Sequence, residues 1–411
     1  MLTRRRFGAA ALGTASSLLQ QTGCSSSPEP ETPGAEETQT PSSNLPASSI
    51  VIDLHCDTPM LIADEGYDLG QRHDYAEVDI PRLREGGVTG VFFSIYTTVS
   101  QSPASAKQRS FEIIEAVVRE VGRHPDDLIL ATRSDDAVRA KDEGKIAIFM
   151  GVEGGHTIDS DLDVLRNHFE KGVRYMTLTH SANTPWAGSS GEEDRTKGLT
   201  EFGREVVRTM NRLGMMVDIS HVSDPTFFDA IAVAKAPLIA SHSSCRALSN
   251  HPRNMTDDML RALAKNGGVA HINFYNEFLD DRHRVYAPEY SDLSKKAAAV
   301  RKTFADDRKQ RSIELRKIDL ERLKRTGRVP FERLLDHFEH AVTVAGVNHV
   351  GLGSDFDGVS AQTPEGMEDI SKVPNLVEGL RGRDFPDHDI AKILGGNTLR
   401  VMKAVEQAAT A

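Results

Sequence analysis

The chain has 411 residues, 39% of them hydrophobic, and a formal charge of -11. That charge excludes a nucleic-acid-binding face, which needs clustered Lys and Arg to neutralise phosphates. Three cysteines (Cys24, Cys56 and Cys245) are too few for a disulfide scaffold, so Cys56 and Cys245 are expected as free buried thiols.

The N-terminus reads as an address. Arg4-Arg5-Arg6-Phe7 precedes an apolar run, Gly8 to Leu19, that is too short and weak to span a membrane. The pattern resembles a twin-arginine export signal over residues 1–24, with a loose lipoprotein-type cleavage site before Cys24. Residues 25–49 are Ser, Pro, Glu and Thr, a composition that buries little and suits a flexible tether behind a lipidated Cys24. The expected location is therefore outside the inner membrane, in the periplasm or cell envelope, with the folded domain over 50–411.

Ile50-Val51-Ile52-Asp53-Leu54-His55-Cys56-Asp57-Thr58-Pro59 opens that domain as a buried parallel strand stopped by proline. Side chains alternate along a strand, which places His55 and Asp57 together and Cys56 opposite. Further apolar runs occur at 88–97, 145–151, 173–179, 215–220, 237–241, 268–274 and 349–353. Helical patterns, such as 106–121, 200–213 and 257–265, lie between most of them. Eight strands alternating with helices predict an α/β fold closed into a (β/α)8 TIM-type barrel. An open doubly wound sheet fits less well, because no Gly-x-Gly-x-x-Gly follows the first strand. Between the runs at 268–274 and 349–353 lies an insertion, in which 294–325 reads as one long charged helix packed outside the barrel, shaping a lid or an oligomer contact.

A barrel keeps its reactive groups at the strand tails. Here those tails carry Glu153 between glycine-rich neighbours, then His180, His221, His242 and Asp355. Each histidine alone has an ordinary structural explanation; together the tails converge on His55 and Asp57. Carboxylates so crowded repel and take up protons unless a cation sits among them. Imidazoles and carboxylates in this number suit zinc and suffice for two ions about 3.5–4 Å apart, with Glu153 free to bridge them.

His55-x-Asp57, Gly151-Val152-Glu153-Gly154-Gly155-His156, Leu178-Thr179-His180-Ser181-x-Asn183-Thr184-Pro185-Trp186, Asp218-x-Ser220-His221-Val222-Ser223, Ser241-His242-Ser243-Ser244, Arg253-Asn254 and Asp355-Phe356-Asp357-Gly358 together resemble the membrane (renal) dipeptidase family over about 50–406. The resemblance implies two zinc ions, one on His55 and Asp57, one on His221 and His242, bridged by Glu153. It implies that His180 steadies the oxyanion, that Arg253 and Tyr275 line the substrate site, Arg253 gripping the carboxylate, and that Asp355 moves the proton. The implied reaction is hydrolysis of dipeptides, including ones with a C-terminal D-residue, by a hydroxide shared between the ions, in a chain that forms a homodimer. Cys56 stands where relatives carry Asn, and Phe278 stands in place of a second tyrosine. Asp357 reads as a helix cap more than as a residue that orients a metal ligand, and Asn183 and Trp186 as pocket walls. Another barrel amidohydrolase, acting on a lactone, lactam or N-acyl amino acid, and a lipid-tethered peptide-binding protein are the competing readings.

Overall fold

The nine strands are short apolar segments that, in all but the third, the alternation of runs anticipates: β1 (Ile52–Cys56), β2 (Gly90–Tyr96), β3 (Leu128–Leu130), β4 (Ile146–Glu153), β5 (Val173–Thr177), β6 (Met216–Asp218), β7 (Ile239–Ala240), β8 (Val269–Ile272) and β9 (Val350–Leu352). The structure is a computed structural model that describes residues 45–46, 49–283 and 287–409, all within the unit Thr40–Ala411. The expected export signal and all but Leu45, Pro46 and Ser49 of the tether lie outside the described residues. Among these, no helix is long and apolar enough to cross a membrane.

All pairings between these strands are parallel, and β2 pairs with both β1 and β4 while β1 pairs with β9. Eight strands therefore close into the expected (β/α)8 barrel. The ninth, β3, was not anticipated: it pairs with the first half of β4, Leu128↔Ile146 to Leu130↔Ile148, on the edge that β5 takes over from Met150. Three residues are too few to carry a periodic signal of their own.

The outer helices start where short polar side chains can accept the free N–H groups of the first turn. Ser102, Thr200, Ser223 and Thr256 each accept from the backbone N–H three residues on. The inserted segment differs from expectation. It forms two helices, Ser291–Thr303 and Arg308–Thr326, because Asp307 caps the second by accepting from Gln310 N and breaks the run. Arg316 ties this hairpin to Glu65 at 2.7 Å and stacks over Tyr75, so it stands beside the mouth of the barrel.

Two buried clusters divide the core. Ile52, Leu54, Phe92, Phe149, Tyr175, Met216, Ile239 and Val269 fill the barrel together with Val401 and Met402 of the C-terminal helix. Alternate residues such as Val91, Phe93, Ile148, Met150 and Val152 pack outward against the helices. Regular alternation from Ile52 and Leu54 would turn His55 outward. The β1–β2 register slips by one residue between Asp53 and Cys56, a bulge that turns His55 inward and Cys56 outward. The β4–β5 register slips likewise between Met150/Val173 and Gly151/Tyr175, which turns Tyr175 inward. Cys56 and Cys245 are both free and buried, as expected.

Three buried histidines serve the packing. His168 bonds to Ser110, His271 to Ala240 O and Thr398, and His337 to Cys245 N and Leu279 O. Burial depresses His168 and His337 to about 4 and His271 to about 3. Each is neutral in the fold and takes up a proton when unfolded below about pH 6.5, so its stabilising effect is complete above that pH and is lost as pH falls toward 4. Between pH 7 and 5 the loss is on the order of 1–2 kcal/mol per histidine. Denaturant unfolding of the wild-type chain and of His168→Gln should show a flatter pH profile in the variant; equal slopes would contradict this assignment.

Candidate metal centre

The strand tails bring together every histidine and carboxylate proposed as a metal ligand. His55 comes from β1 and Asp57 from the residue just beyond it, Glu153 from the end of β4, His221 from beyond β6 and His242 from beyond β7. Two triads, His55–Asp57–Glu153 and Glu153–His221–His242, each present ligand atoms within 4.8 Å of one another, and Glu153 belongs to both. A third, His55–His242–Asp355, overlaps them.

Glu153 Oε1 lies 3.0 Å from His221 Nε2, 3.4 Å from His242 Nε2, and 3.7 Å from both His55 Nε2 and His180 Nε2. Its other oxygen accepts from Ser94 Oγ at 3.2 Å. His221 and His242 face each other through their Nε2 atoms at 2.9 Å. Two bare ring nitrogens at that distance repel unless a proton or a cation lies between them.

Electrostatics point the same way. Burial opposes a charge on His55, yet Glu153 and Asp57 push its pKa up to about 10. Burial also works against the Glu153 carboxylate, but His180 and His55 hold it well below the usual range. Asp355 is pushed well above the carboxylate range by burial, with Asp57 and Glu153 adding to the effect against His55. His221 and His242 are held neutral by burial and neighbouring positive groups. The cluster thus draws positive charge while two of its imidazoles stay free to donate lone pairs. His55 Nε2 and Asp57 Oδ1 are buried without a hydrogen-bond partner, as ligands awaiting a cation would be. This donor set fits divalent metal ions.

Local backbone is shaped to hold these groups. His221 and Asp355 both have φ +69, the left-handed region that non-glycine residues enter at a cost. Asp355 is fixed there by its N–H to His55 O at 3.0 Å and by Asn273 Nδ2 donating to its Oδ2 at 2.9 Å. Asp357 does not cap a helix as expected: it accepts from Glu77 N and Thr58 Oγ1 at 2.7 Å, joining its own loop to the segment at Glu77 and to the start of the helix Thr58–Glu65. At Gly151 a Cβ would come within 2.0 Å of the Tyr175 ring. Only glycine leaves room for that ring, whose hydroxyl meets His55 Nδ1 at 2.9 Å.

His180 stacks near His221 and Tyr96, partly open to solvent. Arg253 donates to His242 O at 3.0 Å and lies over the Phe278 ring at 5.2 Å, with its Nε buried and unpaired. Tyr275 packs edge-on against Phe278 and hydrogen-bonds Glu277 at 3.3 Å. Trp186 is buried, its ring packed against Gly155 two residues beyond Glu153. A cavity of about 1200 Å³ between the inserted hairpin and the first loops reaches Tyr96, Asp357 and Gly358 at the mouth. A fourth acid and histidine group, Asp68–Glu120–His124, already has Arg123 at 2.8 Å from Glu120 to offset it.

Sequence reasoning missed Tyr175 and Ser94. A glycine inside a buried strand, Gly151, is the signal that a large neighbour crosses there.

A closed parallel barrel with such a ligand cluster at the C-terminal mouth defines a metal-dependent hydrolase. The comparisons agree: residues 40–411 match the family described as membrane dipeptidase, peptidase family M19. The chain belongs to that family of metallopeptidases and is a dipeptidase by kind. An uncharacterised dipeptidase of Schizosaccharomyces pombe is 36% identical over 379 residues, covering 87% of this chain and 80% of its own length. The probable dipeptidase PvdM of Pseudomonas aeruginosa shares the fold with a TM-score of 0.76 at 24% identity, covering 90% of this chain and 98% of its own. A metallopeptidase of Rhodobacter sphaeroides, solved with a phosphinate mimic of the dipeptide L-Ala-D-Ala, shares it with a TM-score of 0.72 at 23% identity, covering 87% of this chain and 100% of its own.

A ligand that binds only the folded state at a thousand times its Kd adds about 4 kcal/mol of stability. A chelator should therefore lower the Tm of the wild-type protein by several degrees and restored metal should raise it, while Glu153→Gln responds to neither. An unresponsive wild-type protein would refute the metal centre.

Proposed function

We propose that the protein is a binuclear zinc dipeptidase whose substrates include dipeptides with a C-terminal D-residue. The observation that carries the reading is one carboxylate, Glu153, shared by two ligand triads. His55 and Asp57 would hold one ion, His221 and His242 the other, and Glu153 both. The bound ions supply a water acidified toward neutral pH and a polarised carbonyl.

The remaining work falls to side chains. Arg253 receives the substrate carboxylate, where a planar guanidinium makes paired hydrogen bonds that lysine cannot. Its unpaired Nε beside His242 and Phe278 supports that role, with Tyr275 walling the same end. His180 donates to the carbonyl oxygen as negative charge develops there. Asp355 takes the proton from the attacking water and returns it to the leaving amine; the Asn273 hydrogen bond holds it in place for this. The breadth toward a D-residue rests on the family and on the L-Ala-D-Ala mimic bound by the Rhodobacter sphaeroides neighbour.

Assays of the zinc-loaded protein on L-L and L-D dipeptides beside N-acyl amino acids should give turnover of both dipeptide classes. No dipeptide turnover at all would discard the proposal. Asp355→Asn should keep its metal and lose kcat by on the order of 10²–10⁴, the span of a lost general base; an unchanged rate would move the proton transfer elsewhere.

A further inference from the structure

Asp218 is wholly buried, and the donors that meet its carboxylate are backbone N–H groups and hydroxyls. Its Oδ1 accepts from the backbone N–H groups of Ser220 at 3.0 Å and Ser241 at 2.8 Å. Its Oδ2 accepts from Thr177 Oγ1 at 2.5 Å and Ser241 Oγ at 2.6 Å. Four donors fill the lone-pair positions of a carboxylate, and they tie the ends of β5, β6 and β7 to one point. Nothing in the proposed reaction uses this residue.

Ser241 has a single hydroxyl hydrogen, and the 2.6 Å contact to the Asp218 carboxylate, which has none of its own, takes it in preference to Ser220 Oγ at 3.4 Å. The Ser241 oxygen can then only accept from His242 Nδ1, 2.8 Å away. His242 must therefore carry its hydrogen on Nδ1, leaving a bare lone pair on Nε2, the atom that faces Glu153 and His221.

We propose that Asp218 is a positioning residue that, through Ser241, locks His242 in the only tautomer able to ligate the second metal ion. The inference rests on the proposed binuclear reading for its consequence, and on the hydrogen count alone for the tautomer.

Asp218→Asn changes the shape of the side chain little but reverses the chain of donors. The Ser220 and Ser241 N–H groups still need an acceptor, so the amide oxygen stays with them and the NH₂ turns to the two hydroxyls. Ser241 is then free to donate to His242 Nδ1, which moves the ring hydrogen to Nε2 and blocks ligation. Ser241→Ala leaves Nδ1 with neither donor nor acceptor, a milder defect. In the double variant the misdirecting hydroxyl is gone, so binding should recover toward that of Ser241→Ala. A purely structural role for Asp218 predicts the opposite, losses that accumulate.

The test is zinc titration against a competing chelator, with unfolding curves as the control for folding, beside nitrogen NMR of the histidine rings in metal-free protein. Loss of the second zinc site should be 10–100-fold in Asp218→Asn, in line with broken outer partners of ligating histidines. It should be smaller in Ser241→Ala and intermediate in the double variant. Wild-type His242 should read as the Nδ1–H form and Asp218→Asn as the Nε2–H form. An Nε2–H form in wild type, wild-type affinity in Asp218→Asn, or a double variant weaker than Asp218→Asn overturns the proposal. If Asp218→Asn does not fold, the wild-type tautomer and the Ser241→Ala affinity still decide it. A wild-type protein that takes up no second zinc refutes the binuclear reading instead, because the tautomer is read without metal.

Discussion

The fold is arranged around one electrostatic demand: the carboxylate of Glu153 sits among the Nε2 atoms of four imidazoles, at 3.0 to 3.7 Å, with Asp57 and Asp355 close by. Such crowding is stable only when positive charge is shared out among the oxygens and the facing nitrogens. A lone proton on His55, whose pKa Glu153 and Asp57 push up against burial, offsets part of it. Divalent ions offset more, and the family to which the chain belongs is one of metallopeptidases.

Holding these groups in place requires departures from ideal backbone. The slip in β1 turns His55 into the barrel, and the slip in β5 turns Tyr175 toward it. His221 and Asp355 adopt left-handed conformations that their surroundings must enforce. These two lie at the mouth, while below it Phe92, Phe149 and Tyr175 stack across the barrel interior. Each irregularity exchanges a little local stability for the direction of one side chain.

Much of this was legible in the sequence. Eight apolar runs with intervening helical patterns carry the barrel, because a parallel strand buried on both faces must be apolar throughout. The meeting of these side chains was legible because barrel topology sends every strand tail to one mouth, so His55, Glu153, His221 and His242 need no sequence proximity to converge. The alternation argument reached the right facing for His55 and Asp57 without the bulge that produces it. What stayed hidden depends on contacts between distant residues: the register slips, the Tyr175 hydroxyl against His55, and the Asp218–Ser241–His242 chain. The break in the inserted helix was visible only as Asp307, whose capping role needs the backbone N–H of Gln310 to be in place. Charged helical patterns continue across such a cap, and periodicity alone does not register it.

The most direct measurement is anomalous diffraction at the zinc absorption edge from crystals of the zinc-loaded protein. Two peaks about 3.5–4 Å apart, with Glu153 between them, are expected for ions that share a ligand. A single peak, or a peak remote from Glu153, would contradict the claim that this carboxylate joins two metal ions.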